Sequence, residues 1–146
     1  MLLPKQVWKD IPGYEGLYQV SNTGKVRSLN YKRTGKTKIL KQGIGTHGYK
    51  IINLYKDHSS KTYTVHRLVA QAFIPNPNNY PIINHKDENK QNNVVWNLEW
   101  ASYSYNINYG TARDRRAKTR GREWGQRKSL QQLILQATEH IHKEQD

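Results

Sequence analysis

The fold of this chain is decided by the stretch IINHK at residues 82–86, which runs into DENKQNN at 87–93 and NLEW at 97–100. The pattern predicts a short strand over residues 80–84 that leads into His85, a polar loop, and a second strand over 94–101. A helix is predicted over 102–109, which carries Asn106 and ends at Gly110. One imidazole and several amide oxygens therefore fall within a single strand–loop–strand–helix unit.

Those residue types are what a single-metal phosphodiesterase site requires. An imidazole is partly unprotonated near neutral pH, so His85 can act as a general base. The side-chain oxygens of Asn84 and Asn106 suit a hard cation such as magnesium. Asn97 can make a hydrogen bond that fixes the loop or the ring of His85. Taken singly, each asparagine is more simply a turn former and His85 a surface histidine, so the ordered combination carries the hypothesis.

The same residues resemble a known family. INHKD at 83–87, NN at 92–93, NLEW at 97–100 and Asn106 resemble the HNH nuclease motif in its ββα-metal form, and VHRLVA at 65–70 with Phe73 resembles the helix before it. WKDIPGYEGLYQVSNTGKVRSL at 8–29 resembles the nuclease-associated modular domain (NUMOD) of phage and intron-encoded HNH homing endonucleases. The resemblance extends over about residues 7–109.

This resemblance implies an endonuclease that nicks or cleaves double-stranded DNA at a long, loosely read site. It implies His85 as general base, Asn97 as the central structural asparagine, and one divalent metal at Asn84 and Asn106, with Mg²⁺ expected and Mn²⁺ as the alternative. Asn84 departs from the family, where Asp or His is frequent. The ligand pair then has no formal charge, so we expect weak metal binding to the free protein unless Asp87 or Glu88 compensates through water.

The charge of the chain indicates an anionic partner. The net charge is +13, with 24 Lys and Arg against 11 Asp and Glu, and residues 16–56 contain no acidic side chain. Nucleic acid is favoured over a membrane surface, because no long apolar run or dominant basic amphipathic helix is present. The side chains expected to contact DNA are Lys25, Arg27, Lys32, Arg33, Lys36, Lys38, Arg67, Arg113, Arg115, Arg116 and Arg120.

The predicted fold class is α+β, in three segments. Residues 1–60 form a small basic antiparallel β module, NUMOD-like over about 7–56, with strands at 17–20, 25–29 and 49–55. Residues 61–110 form the ββα-metal (HNH) catalytic unit, preceded by a helix over 65–73. Residues 111–146 form a basic tail, expected to be extended or disordered without a partner, and an amphipathic helix near 129–141 in place of the helix-turn-helix of many relatives.

Further expectations concern partners and rival functions. The absence of cysteine excludes disulfides and thiolate zinc sites. A short apolar N-terminus favours an intracellular protein, in the bacterial host cytoplasm if phage-encoded. We expect a monomer that binds double-stranded DNA, no membrane and no small-molecule cofactor, with His66 in a local hydrogen bond. The rivals are a non-catalytic DNA-binding protein, either a degenerate nuclease or a repressor-like factor, and an RNA-binding module, which lacks the usual exposed aromatic pairs.

Overall fold

Short strands separated by turns build the N-terminal half of the protein. The computed structural model describes residues 4–120. A four-stranded antiparallel sheet contains, in spatial order, β1 (Trp8–Asp10), β2 (Tyr18–Ser21), β3 (Val26–Ser28) and β4 (Lys38–Ile39). A second antiparallel sheet contains β5 (Gly43–Ile44), β6 (Lys50–Lys56) and β7 (Ser59–Thr64). The sequence predicted one small sheet, whereas the chain forms two, because β4 pairs back onto β3 and β5 begins a new hairpin with β6.

A two-stranded ribbon and two helices follow. Helix α1 (Val65–Phe73) has the predicted bounds, and α2 (Tyr103–Asn108) follows the ribbon of β8 (Ile82–His85) and β9 (Leu98–Ala101). The predicted strand over 94–101 was wrong in its first half, where Val95–Asn97 forms a 3₁₀ turn. The backbone carbonyl of Asn97 there accepts a 2.8 Å hydrogen bond from the N–H of Lys86, a long-range contact that overrides the local preference for a strand.

One apolar core joins both sheets, α1 and the β8–β9 ribbon. Helix α1 presents Val65, Leu68, Val69 and Ala70 to the interior, and ends before Pro75, whose ring cannot continue a helix. Both sheets and the ribbon pack in the same cluster, whose other members are Ile11, Val20, Val26, Ile52, Leu54, Ile83 and Leu98. The predicted α+β class is confirmed, and the core ties the N-terminal sheets to the β8–β9 ribbon.

The chain divides into two compact units, Met1–Asn106 and Ile107–Asp146. In the second unit, residues 112–120 are helical, so the expectation of an extended or disordered basic segment was wrong there. Arginine, lysine and alanine are good helix formers, and the backbone N–H of Arg115 donates to the Thr111 carbonyl at 2.9 Å. The helix expected near 129–141 lies outside the described residues. Between residues 4 and 120, no helix is both long and apolar enough to cross a membrane.

Candidate active site

His85, the last residue of β8, lies in a buried polar pocket. Only 6% of the residue is exposed, and Nε2 lies 2.8 Å from Oδ1 of Asn93. An amide oxygen only accepts hydrogen bonds, so the neutral ring of His85 must carry its proton on Nε2. Within residues 4–120, Nδ1 of His85 has no hydrogen-bond partner, and this atom is not fully buried. The unprotonated nitrogen is therefore the accessible one.

Two further rings pack around this imidazole. The His66 ring centroid lies 5.1 Å from that of His85, and the Tyr49 ring lies 4.8 Å from His66 and 6.0 Å from His85. Burial lowers the pKa of His66 to about 4, with smaller contributions from His85 and Arg67. Burial also lowers the pKa of His85, although the hydrogen bond to Asn93 opposes the shift. Both imidazoles are therefore neutral near pH 7.

The structure corrects the interpretation of His66. Its Nδ1 is buried and has no hydrogen-bond partner among the described residues, whereas the sequence predicted a locally satisfied histidine. The face of α1 that carries His66 is turned toward His85, so ring packing takes the place of a hydrogen bond. No sequence signal indicated this contact, since the two histidines are separated by a loop and a strand.

Asn84 is oriented by a carboxylate on the neighbouring strand. Asn84 faces Glu99 across the ribbon, and its Nδ2 donates to Oε1 of Glu99 at 2.8 Å. The hydroxyl of Tyr105 on α2 donates to the same oxygen at 3.2 Å. Because Nδ2 is committed to Glu99, Oδ1 of Asn84 is left as a free acceptor, with no hydrogen bond to any residue in 4–120.

Asn106 follows Tyr105 on α2 and is half-buried. Its backbone N–H donates to the Ser102 carbonyl at 3.1 Å, while no hydrogen bond engages its side chain within the described part of the chain. The described residues contain no group of three or more His, Cys, Asp and Glu that could hold a metal ion. Asn84 and Asn106 carry carboxamide oxygens and Glu99, which is bonded to Asn84, carries a carboxylate. Oxygen donors of this kind are the ones that Mg²⁺ and Mn²⁺ prefer.

Asn97 fastens the loop that follows His85. Its Nδ2 donates to Oδ1 of Asp87 at 2.9 Å and to the Asn92 carbonyl at 2.8 Å, and its Oδ1 accepts the N–H of Asp87 at 3.1 Å. Hydrogen bonds from Asn92, the backbone of Asn89 and Asn97 hold the pKa of Asp87 below its usual value. Both oxygens of Asp87 thus accept hydrogen bonds within the loop, and no hydrogen bond among residues 4–120 joins this carboxylate to Asn84.

The basic residues predicted to meet DNA fall into three groups. Arg27 donates through Nε and Nη2 to Oε1 of Gln19 and lies 4.2 Å above the Trp8 ring, and Arg67 donates to the Pro81 carbonyl at 2.9 Å. The second group is exposed and lies in the first sheet or in the segments that connect its strands: Lys25, Lys32, Arg33, Lys36 and Lys38. In the helical segment 112–120, Arg113, Arg116 and Arg120 share one face, and Arg115 lies on another.

Sequence reasoning missed four residues that surround the candidate site: Tyr49, His66, Asn93 and Glu99. Asn93 and Glu99 lie inside the quoted stretches, but nothing in their spacing indicated that they contact His85 and Asn84. Tyr49 lay in a predicted strand, just outside β6, with no distinguishing signal. The structure brings Asn93 to His85 and Glu99 to Asn84.

Comparisons with known proteins agree on one family. A model described as the NUMOD4 motif matches residues 7–55. The chain is 39% identical over 137 residues to DNA endonuclease I-HmuI of Bacillus phage SP01, covering 94% of this chain and 76% of that protein. It is 44% identical over 102 residues to an uncharacterized HNH endonuclease, L245, of Acanthamoeba polyphaga mimivirus, covering 70% of this chain and 29% of that protein.

A solved structure is also similar. It is described as DNA binding and cleavage by the HNH homing endonuclease I-HmuI, and it matches with a TM-score of 0.63 and 45% identity over 74% of this chain. This chain spans 59% of that solved chain, so more than a third of the solved chain has no counterpart in the match.

Proposed function

The chain belongs to the family of HNH DNA endonucleases of the phage homing type, and from this premise we propose that it nicks or cleaves double-stranded DNA, with His85 as general base and one divalent metal. The single observation that supports the proposal best is the state of His85. Asn93 engages Nε2 at 2.8 Å, and burial keeps the ring neutral. A neutral imidazole with an accessible Nδ1 is what proton abstraction from water requires.

The proposed reaction is hydrolysis of a phosphodiester. Nδ1 of His85 takes a proton from water while the water oxygen forms a bond to phosphorus, the bond from phosphorus to the 3′ oxygen breaks, and that oxygen takes a proton from solvent. Asn93 holds Nε2–H throughout, so the ring does not rotate as it gains charge. Asn97 acts by fixing the loop that separates β8 from β9.

We propose that Asn84 and Asn106 hold the metal, Mg²⁺ or Mn²⁺. Both offer side-chain oxygens without a hydrogen bond inside residues 4–120, and Glu99 orients the amide of Asn84. A bound divalent cation would neutralise the charge that develops on the phosphate and the leaving oxygen. Since both carboxamides are neutral, we expect tight binding of the ion to require the DNA phosphate as well.

We propose that residues 1–60 grip DNA, residues 61–110 cut it and residues 111–120, with the tail beyond, extend the contact. The exposed lysines and Arg33 suit phosphate contacts, whereas Arg27 and Arg67 are already bonded within the protein. A plot of the logarithm of the DNA association constant against the logarithm of salt concentration should become less steep by about 0.9 for each phosphate contact that is lost. We further infer a monomer that acts inside the cell, where its DNA lies.

Supercoiled plasmid incubated with Mg²⁺ or Mn²⁺ tests the proposal. We expect the wild type to convert it to nicked or linear DNA, and His85→Ala to lose this activity while it retains the gel shift. His58→Ala is a matched control, because it removes an exposed imidazole in the turn between β6 and β7.

The second candidate function is a DNA-binding protein without catalysis. The observation that favours it is the uncharged pair Asn84 and Asn106, in a described region without a cluster of His, Cys, Asp or Glu suited to a metal. A gel shift with no cleavage by the wild type in either metal would support this alternative.

A further inference from the structure

Turns of the N-terminal module reach into the loop that follows His85. The backbone N–H of Val95 donates to the Asn22 carbonyl at 2.9 Å, and Nζ of Lys90 donates to the His47 carbonyl at 2.9 Å while it lies 4.9 Å above the Tyr49 ring. Asn22, His47 and Tyr49 all fall within residues 7–55, the part that matches the NUMOD4 motif. The N-terminal module therefore contacts the loop that follows His85 directly, in addition to packing in the same apolar core as the β8–β9 ribbon.

The tightest of these contacts is made by Gly24, in the turn between β2 and β3. Its φ is +85°, and a Cβ added there would lie 2.9 Å from the carbonyl oxygen and 3.1 Å from Cβ of Asn93. The turn is itself fixed, because the Gly24 N–H donates to the Ser21 carbonyl at 3.1 Å and Nε2 of Gln42 donates to the Gly24 carbonyl at 2.8 Å. A rigid backbone thus lies directly against the backbone of residue 93.

The side chain of Asn93 depends on that backbone for its position. Asn93 is 4% exposed, and its Nδ2 is buried without a hydrogen-bond partner in the described chain. Its one side-chain hydrogen bond among those residues is the 2.8 Å contact between Oδ1 and Nε2 of His85. A shift of the residue 93 backbone would therefore move Oδ1 relative to His85, because no second side-chain bond holds it in place.

We propose that the turn at residues 22–24 is a positioning element for the general base: Gly24 places Asn93, and Asn93 sets the tautomer and orientation of His85. The inference rests on the proposed function, since it assigns to the DNA-gripping module a role in the chemical step. Neither Gly24 nor Asn93 touches substrate in this proposal, so both act through His85.

The test compares two alanine variants with the same backbone strain. Gly24→Ala adds a Cβ at 2.9 Å from Asn93, whereas Gly13→Ala also adds one at φ +85° but meets nothing within 4 Å. We expect Gly24→Ala to lower the single-turnover cleavage rate about 100-fold, with the Kd for DNA unchanged. We expect Gly13→Ala to match the wild type in both. Equal rates for the two folded variants would overturn the inference.

A spectroscopic signature separates positioning from general damage. In metal-free protein labelled with ¹⁵N-histidine at pH 8, the His85 ring should show a protonated Nε2 and an unprotonated Nδ1. Gly24→Ala and Asn93→Ala should lose this pattern and give a mixture of tautomers, and Asn93→Asp, which keeps an acceptor oxygen, should restore it. A single unchanged tautomer in Gly24→Ala would contradict the proposal.

Two features keep this test independent of the proposed function and of folding. If the wild type does not cleave DNA at all, the proposed function fails, yet the ring signals still report whether the turn positions His85. If Gly24→Ala does not fold, Gln42→Ala loosens the same turn by removing its 2.8 Å hydrogen bond to Gly24. An unperturbed His85 spectrum and an unchanged cleavage rate in Gln42→Ala would then overturn the inference.

Discussion

Asn84 and His85 are consecutive residues of β8, but they are held by different regions of the molecule. Their side chains leave the strand on opposite faces. The base side, named for the proposed role of His85, consists of His85 with Tyr49, His66 and Asn93, and is buried and rich in rings. The metal side, named for the proposed role of Asn84 and Asn106, contains Asn84, Glu99 and Tyr105, which hydrogen bonds link through the Glu99 carboxylate, and Asn106, the residue after Tyr105 on α2.

Under the proposed function, this difference lets one strand meet two chemical demands. A base must be neutral and fixed, which burial against the His66 and Tyr49 rings and the hydrogen bond to Asn93 provide. A metal ligand must present a free oxygen, and Asn84 does so because its amide nitrogen, not its oxygen, makes the hydrogen bond to Glu99. The base side is assembled from distant segments, whereas all members of the metal side lie within residues 84–106.

Loss of the base should have the largest effect. We expect His85→Ala to lower the cleavage rate by about 10²–10⁴-fold at any metal concentration, because it removes the group proposed to take the proton from water. Asn84→Ala should instead show a defect that shrinks as Mn²⁺ is raised, since binding of the ion is what is weakened. Cleavage rates measured over a range of Mn²⁺ concentrations distinguish the two, and a His85→Ala defect that Mn²⁺ relieves would contradict the comparison.

Acid should destabilise the base side through His66. The pKa of His66 is about 4 in the folded protein and near 6.5 when unfolded, so the unfolded state binds more protons between these values. The contribution of neutral His66 to the free energy of unfolding is fully present above pH 6.5 and is lost as the pH falls from 6.5 through 4. We expect the free energy of unfolding to fall by about 2–3 kcal/mol between pH 7.5 and 4.5 from this group.

Urea unfolding at the two pH values measures that loss. His66→Phe should reduce the difference by this amount, whereas His58→Phe, at an exposed turn, should not. The lowered pKa of His85 acts in the same direction in all three proteins, so the comparison isolates His66. Identical pH dependence in His66→Phe and the wild type would show that the ring is not buried as described.

A formal charge on the metal side should have two opposing effects. Asn84→Asp supplies a carboxylate ligand, and we expect about tenfold tighter Mn²⁺ binding by calorimetry in metal titrations. In the metal-free protein, Asn84→Asp removes the hydrogen-bond donor to Glu99 and places the carboxylates of residues 84 and 99 side by side. We expect this to lower the free energy of unfolding by about 1 kcal/mol. Adding Glu99→Gln should restore the metal-free stability. Unchanged Mn²⁺ affinity in Asn84→Asp would argue against a metal site there.

The smallest effect is expected at Tyr105. Its hydroxyl lies 3.2 Å from Glu99 at an exposed position, so Tyr105→Phe should change the unfolding free energy by less than about 0.5 kcal/mol. Mn²⁺ affinity should change little, because Asn84 still holds Glu99. A large loss of Mn²⁺ affinity would show that the metal side depends on α2 more than on β9.

The sequence predicted the class of fold and the local parts of the site. Helix α1 was predicted with its bounds because its apolar spacing and Pro75 are local signals, and β8 and α2 were placed within a few residues. Glu99 and Asn93 lay in the quoted motif without an assigned role, since hydrogen bonds across a ribbon or loop depend on register. The contacts of Tyr49, His66 and Gly24 join segments up to about 70 residues apart, so no periodicity could indicate them.

The shared core limits how genes for such enzymes can recombine, because it includes both N-terminal sheets, α1 and the β8–β9 ribbon. A recombination junction near residue 60 would separate Val20, Val26 and Leu54 from the helix that they pack against. The NUMOD4 segment of this protein is therefore not an interchangeable cassette. Viable hybrids should be those whose two parents preserve the packing on both sides of the joint, and inheritance should keep these segments together.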